Sequence, residues 1–363
     1  MPLRIIPLAG GPTERGRRHG ELLAGEIRRL RRALLSYLLK ATGIVGLAPI
    51  WGLLLFFSRR FWPFIPARLK EEIQGVAAGA HLETGTVLLI NVLDDLANNI
   101  PRCSALAVGP KLSATGTWLT GRNLDYPLFT DVLVELQTLF VVHPHQGLPF
   151  ISLSWPGYVG ACTGLNRAGV CLAQLTAMNR ASTLQGIPAA LRFRQALEEK
   201  DTLPEAAAHL LRGPVTIGNN VLLSSPDGAV VLELSAHGSA VRLPVNGLLT
   251  ATNHYQSPEM APFKGRFPRR PPWAVLSSYY FSEAYSESRN QRLQQLARPP
   301  LTPEALMTIL ADPQIANPGT VVCTICSPAD LTLWVAQGLT PPVNQAPFQK
   351  IPLSPLFSLT GDL

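Results

Sequence analysis

Hydrophobic positions change their spacing about a third of the way along the chain. In residues 13–39, Leu22, Ile27, Leu30, Leu34 and Leu38 recur at helical intervals and predict an amphipathic helix. Residues 66–82 and 83–99 carry two more helical patterns, the second stopping before Pro101. From Cys103 onward the texture is that of strands. Short β-rich runs at 103–108, 117–122, 132–142, 149–154, 158–163 and 169–176 alternate with turn-formers such as "GPKLSATG" and "NRAG". Two helical patterns follow at 188–200 and 202–213. Strands are then expected at 218–225, 229–235, 239–243 and 248–252, helices at 279–297 and 302–311, and closing strands at 319–326 and 331–336. Blocks of strands separated by blocks of helices suggest two antiparallel sheets between helix layers. A helical segment 1–102 followed by a strand-rich domain 103–363 is the division this pattern gives.

The 363 residues suffice for one large domain or two ordinary ones. Arginines cluster at 15–32 and basic residues again at 264–270, within a formal net charge of +7. No helix-turn-helix, RNA-recognition or zinc-finger pattern accompanies them, so nucleic acid is not an expected partner. Five scattered cysteines make no disulfide framework. With no secretory signal pattern at the start, a reducing, cytoplasmic setting is expected. Between Lys40 and Arg59 lie 18 uncharged residues, followed by "RRFWPFIPAR". Pro49 and three glycines weaken a continuous helix. The stretch reads equally as a buried helical hairpin or as a peripheral contact with an anionic membrane surface, and less well as a span.

Cysteine chemistry needs a partner, and most of the cysteines have none in sequence. Cys323 and Cys326 spell C-x-x-C, but in a strand residues three apart face opposite ways, and no second pair or nearby His completes a metal site. Cys103 differs. It heads a strand, and "GRNLDY" begins eighteen residues later, a spacing that fits the second arm of a hairpin. Arg122 and Asp125 are then candidates to approach the thiol, hold it as thiolate and orient it. Spacing alone supports a simple salt bridge as readily.

"CSALAV…TGRNLDY" resembles the N-terminal-nucleophile hydrolases, in the branch of isopenicillin-N acyltransferase, choloylglycine hydrolase and acid ceramidase. Further stretches follow in that family's order: "GLNRAGV" (164–170), "TATNHYQSPE" (250–259) and "SESRNQRLQQL" (286–296). "GPTERGRRHGELLAGEI" and "LLINVLDDL" resemble the propeptide of its acyltransferases. The resemblance implies a four-layered αββα fold, made as a precursor whose cleaved propeptide is a partner of the mature chain. It implies Cys103 as nucleophile, Arg122 and Asp125 beside it, Asn166 and Asn253 at an oxyanion hole, and Ser288 with Arg289 in support. The activity it implies is hydrolysis or acyl transfer on a linear non-peptide amide, a fatty-acyl amide being one candidate, with no cofactor and no metal. A catalytically silent, membrane-associated binding protein of the same fold is the alternative. One position departs from the pattern: Arg102 stands where the acyltransferases have a small residue.

Overall fold

The computed structural model describes residues 3–97, 103–126, 129–267, 269 and 277–358. Two sheets stack face to face. The larger runs β1 (Arg4–Gly10), β4 (Thr138–Pro144), β5 (Phe150–Ser154), β6 (Thr163–Asn166), β7 (Cys171–Thr176), β8 (Asn219–Ser225), β9 (Gly228–Ser235), β10 (Gly238–Arg242). The smaller runs β11 (Leu248–Ala251), β2 (Ser104–Val108), β3 (Leu119–Asp125), β12 (Thr320–Ser327), β13 (Thr332–Ala336), β14 (Phe348–Pro352). All pairings between these strands are antiparallel except that of β1 with β4.

Side-chain alternation sorts the larger sheet into two cores. Leu139, Val141, Ile151, Leu153, Ala173 and Leu222 enter the core it shares with the smaller sheet. Phe140, Val142, Phe150, Leu172 and Leu223 face the other way. There they meet α1 (Pro12–Leu22), α3 (Ala67–Ala80), α4 (Thr84–Ala97), α6 (Ala189–Glu199) and α7 (Leu203–Leu211). The outer face of the smaller sheet is covered by α8 (Glu283–Leu296) and α9 (Pro303–Leu310). The result is the αββα sandwich.

The segment before Cys103 is not purely helical, because β1 closes one edge of the larger sheet. Its alternation is masked by Pro7, and an edge strand tolerates a proline. Residues 132–142 are not one strand. Their first half is α5 (Thr130–Leu136), which buries Leu133, Val134 and Leu136 on one face, and the strand starts only at Thr138. Residues 158–162 are irregular and the strand there begins at Thr163; β14 is a further strand beyond the expected set.

α2 (Ala24–Arg59) also runs on where glycines and Pro49 argue for a break. Its break is a kink at Gly43, whose φ of 67° suits glycine. Pro49 lies early in the second leg, where the carbonyl deprived of its donor belongs to Val45, an exposed residue. Leu47, Ile50, Trp51, Leu54 and Leu55 of that leg pack with Leu34, Leu38 and Leu89. The opposite side carries Ile44, Val45, Phe56 and Phe57, with Ile44 82% and Val45 87% exposed. By length and composition this helix can cross a membrane, and only 6% of its most apolar stretch is buried. The burial half of the expectation therefore holds for one face only.

A buried charge cluster ties the first hundred residues to the rest, and a close helix crossing holds those residues together. Arg15 of α1 and Arg194 of α6 both bond Glu72 of α3, and Arg194 also bonds Glu198, all of them buried. Glu72 is held below the usual carboxylate range by the two guanidiniums, which outweigh its desolvation. α1 and α3 themselves meet through glycines. A Cβ on Gly16 or Gly79 would fall on the backbone carbonyl of Glu72 or Arg17 in the opposing helix. Gly79→Ala should cost about 1–3 kcal/mol through overpacking, overriding a helix-propensity gain of about 1 kcal/mol. Gly25→Ala, with nothing within 4 Å of its Cβ, should show only the gain. Urea midpoints of the two variants on opposite sides of the parent check this; equal midpoints would show that the crossing is not tight.

Candidate active site

Cys103 sits one residue before β2, fully buried. The β2–β3 register pairs Ser104 with Asn123 and Ala105 with Arg122, so the hairpin expected from the eighteen-residue spacing brings the Cys103 and Arg122 side chains to the same face. Arg122 projects into the gap between the sheets. Its Nη1 donates to the Cys162 carbonyl at 3.0 Å and to the Thr163 hydroxyl. Its Nη2 donates to the Gln174 carbonyl at 2.6 Å and lies 3.9 Å from Cys103 Sγ. The backbone N–H of Asp125 also reaches the sulfur.

Asp125 is three residues beyond Arg122, so its carboxylate emerges on the opposite face. There Oδ1 accepts from the Thr320 hydroxyl at 2.6 Å, and Oδ2 accepts from Asn317 Nδ2 at 2.7 Å and Arg289 Nη1 at 3.3 Å. Arg289, projecting from α8, links the pieces. The same Nη1 donates to the Cys103 carbonyl at 2.9 Å, and Nη2 donates to Asn253 Oδ1 at 2.7 Å. Its guanidinium stacks 4.4 Å from the Tyr285 ring. Asn253 follows β11; its Nδ2 donates to the Thr176 carbonyl at 2.7 Å and its N–H to Ser286 Oγ at 2.8 Å. Five of the expected residues, Cys103, Arg122, Asp125, Asn253 and Arg289, thus form one connected, buried group.

Two do not join it. Asn166 ends β6, where its Nδ2 donates to the carbonyls of Leu197 and Lys200 and its Oδ1 accepts from the N–H groups of Ala168 and Val170. Nδ2 spends its donors on two carbonyls of that turn, so the structure does not bring Asn166 into the group where the resemblance expects it. Ser288 bonds the Tyr285 carbonyl and the Tyr279 hydroxyl, on the half-exposed side of α8. The serine that faces the group is Ser286, one helical step of three from Arg289 and fully buried. Helical spacing identifies it; Asn317 and Thr320, which hold Asp125, carry no such signal.

Burial decides the electrostatics. Desolvation pushes the Cys103 thiol above its ordinary range, with Arg122 opposing. Desolvation likewise raises Asp125 to about 6 against the pull of Arg289. Cys323, across from Asn123, lies on the α9 side of β12, while Cys326, across from Thr120, lies on the inter-sheet side.

Next to this group runs an apolar cleft. Leu30 and Leu34 of α2, Ile90 and Leu93 of α4, and Phe129, Leu133 and Trp155 line it. Tyr126 and Tyr158 also line it. Tyr158 lies 3.2 Å from Cys162 Sγ, and the Cys162 carbonyl is the one that Arg122 holds.

The family model for acyl-coenzyme A:6-aminopenicillanic acid acyl-transferase matches residues 113–338. That interval contains Arg122, Asp125, Asn253 and Arg289 and begins ten residues after Cys103. An uncharacterized protein of Archaeoglobus fulgidus is 24% identical over 309 residues, covering 70% of this chain, which spans 51% of that relative. The acyl-coenzyme A:6-aminopenicillanic-acid-acyltransferase 40 kDa form of Emericella nidulans is 25% identical over 253 residues, 69% of this chain and 68% of that one. Among solved structures, a Caenorhabditis elegans N-acylethanolamine-hydrolyzing acid amidase ortholog aligns with a TM-score of 0.47 and 17% identity, over 62% of this chain and 93% of its own. With a profile matched over more than half its length, the chain belongs to the acyl-coenzyme A:6-aminopenicillanic acid acyl-transferase family.

Proposed function

We propose that the chain is a precursor cut between Arg102 and Cys103, and that Cys103 then serves as the N-terminal nucleophile. The reaction is hydrolysis of, or acyl transfer from, a linear non-peptide amide. The observation that carries this reading is the bridging of Arg289 to the Cys103 carbonyl, Asp125 and Asn253, with Arg122 against the sulfur. Arg102 lies outside the described residues. Cleavage would turn the Cys103 amide into a free amine with a pKa of roughly 8, able to take the proton of its own thiol near neutrality without a His base.

In this reading the thiolate attacks the amide carbonyl, and Asn253 donates to the oxyanion. Collapse breaks the C–N bond, the ammonium of Cys103 returns the proton to the leaving amine, and an acyl thioester remains. Water or a second amine resolves it. Asp125, with Arg289 behind it, holds the ammonium, and Arg122 polarises the sulfur. A fatty-acyl amide suits the apolar cleft, because α2 lines that cleft and then continues into the exposed apolar leg. The five free cysteines suit a reducing compartment, and the exposed apolar leg of α2 suits peripheral membrane attachment.

A long-chain acyl p-nitroanilide should give a burst of one nitroaniline per cleaved chain. The fragment beginning at Cys103 should then gain the mass of one acyl group, removable by hydroxylamine. A burst with the acyl group on another residue would overturn the assignment of Cys103.

A further inference from the structure

One wall of the apolar cleft carries a carboxyl. Asp94 of α4 is the only charged side chain among the described residues that line it. It belongs to the segment before Cys103, yet it faces Tyr126, the residue after Asp125. The Tyr126 hydroxyl donates to Asp94 Oδ1 at 3.2 Å. Among the described residues the second carboxylate oxygen has no hydrogen-bond partner, and the side chain is half-buried. The other polar groups on the wall are engaged. Trp155 Nε1 donates to the Leu133 carbonyl at 2.8 Å, and the Tyr158 hydroxyl is with Cys162.

A carboxylate in an apolar wall is expensive unless something donates to it. Desolvation already raises Asp94 to about 6, with Tyr126 opposing. Its neighbour Asp95 has a separate task, accepting from the Ala189 N–H and the Thr216 hydroxyl. Asp94 has no equivalent structural load. Its position is also informative. Tyr126 is bonded to Asp94, and Tyr158 is bonded to Cys162, which Arg122 joins to Cys103. Asp94 is therefore linked to the catalytic group by two short contact chains, through Tyr126 beside Asp125 and through the cleft-lining Tyr158 to Cys162.

We propose that Asp94 is a specificity-determining residue that selects substrates whose apolar half carries a hydrogen-bond donor, a hydroxyl or an ammonium, close to the scissile amide. This rests on the reading of Cys103 as nucleophile and narrows its substrate class. An unsubstituted chain filling the cleft would leave the second carboxylate oxygen desolvated and without a donor among the described residues. A hydroxyl or ammonium placed a few bonds from the carbonyl would satisfy it. The small subunit would then contribute to substrate choice as well as to folding.

The test uses the full-length protein after processing and three p-nitroanilides of one medium-chain acid: unsubstituted, β-hydroxy and β-amino. The parent should favour at least one donor-bearing substrate over the unsubstituted one. Hydrogen bonds to charged groups contribute about 1.5–3 kcal/mol, so Asp94→Asn and Asp94→Leu should each lower that kcat/KM ratio by about 10-fold or more. Which ratio falls identifies the donor. A parent that favours the unsubstituted chain, or ratios equal in the parent and both variants, would overturn the proposal. The nitroaniline burst is read in the same assay. If it survives with unchanged ratios, Cys103 stands and Asp94 is wrong; if no Cys103-dependent burst occurs with any substrate, the nucleophile assignment has failed.

Discussion

Cys103→Ala should purify as one chain of 363 residues where the parent yields fragments of 102 and 261. The thiol would attack the Arg102 carbonyl, the acyl group would shift from nitrogen to sulfur, and water would release the Arg102 carboxylate and the Cys103 amine. Alanine removes the attacking atom, so both cleavage and turnover should vanish, the latter by a factor on the order of 10⁶ where a nucleophile is deleted. Intact mass reads the cleavage directly. The parent fragments should co-elute, because β1 remains paired with β4 and the Arg15–Glu72–Arg194 group spans the cut. Arg102 offers a second route through a trypsin-like protease. If Cys103→Ala is still cut at this bond, self-cleavage is wrong. If the parent is never cut, the protein is a binding protein of this fold. Cys103→Ser should keep the fold and lose most activity, since a hydroxyl yields its proton far less readily than a thiol.

The parts of this site that were legible in the sequence are those whose geometry is local. Cys103 and Arg122 are two arms of one hairpin, and a strand, a turn and a strand fix their separation. Asp125 was legible as a neighbour but not as lying across the sheet from Arg122, although strand alternation over three residues requires it. Arg289 and Asn253 were legible only through the family resemblance, since no periodicity reports a contact between β3 and a helix more than 160 residues away. The same resemblance misplaced Ser288, where helical geometry favours Ser286. Asn317 and Thr320 left no trace, because the carboxylate they hold is 192 and 195 residues distant. Fold errors have a similar origin. "DVLVELQ" alternates like a strand, but burial of Leu133, Val134 and Leu136 together makes it α5. Pro7 hid an edge strand that is paired only through tertiary contact.

The apolar leg of α2 gives the second large effect. Vesicles of anionic lipid should bind the protein at low ionic strength and release it as salt rises, since Arg59 and Arg60 flank the exposed face and surface attraction is screened over about 10 Å at 0.1 M salt. Trp51 and Trp62, aromatic residues that first suggest such contact, pack against the body of the protein and are poor probes. The side chains that face outward include Ile44, Val45, Phe56 and Phe57. Burying a side chain of this size is worth about 1.5 kcal/mol at the lower end, so four of them together can change partitioning by about 100-fold or more even when each inserts only in part. Ile44→Ser, Val45→Ser, Phe56→Ser and Phe57→Ser combined should therefore abolish vesicle binding while the unfolding midpoint stays near that of the parent, because the folded protein buries little of what is removed. Flotation with vesicles, read beside a urea melt, separates the outcomes. A combined variant that unfolds would return these residues to the core. Release by detergent but not by salt would make α2 a membrane span. A folded parent that ignores vesicles would remove the membrane from the proposed function and leave a small soluble amide as the substrate.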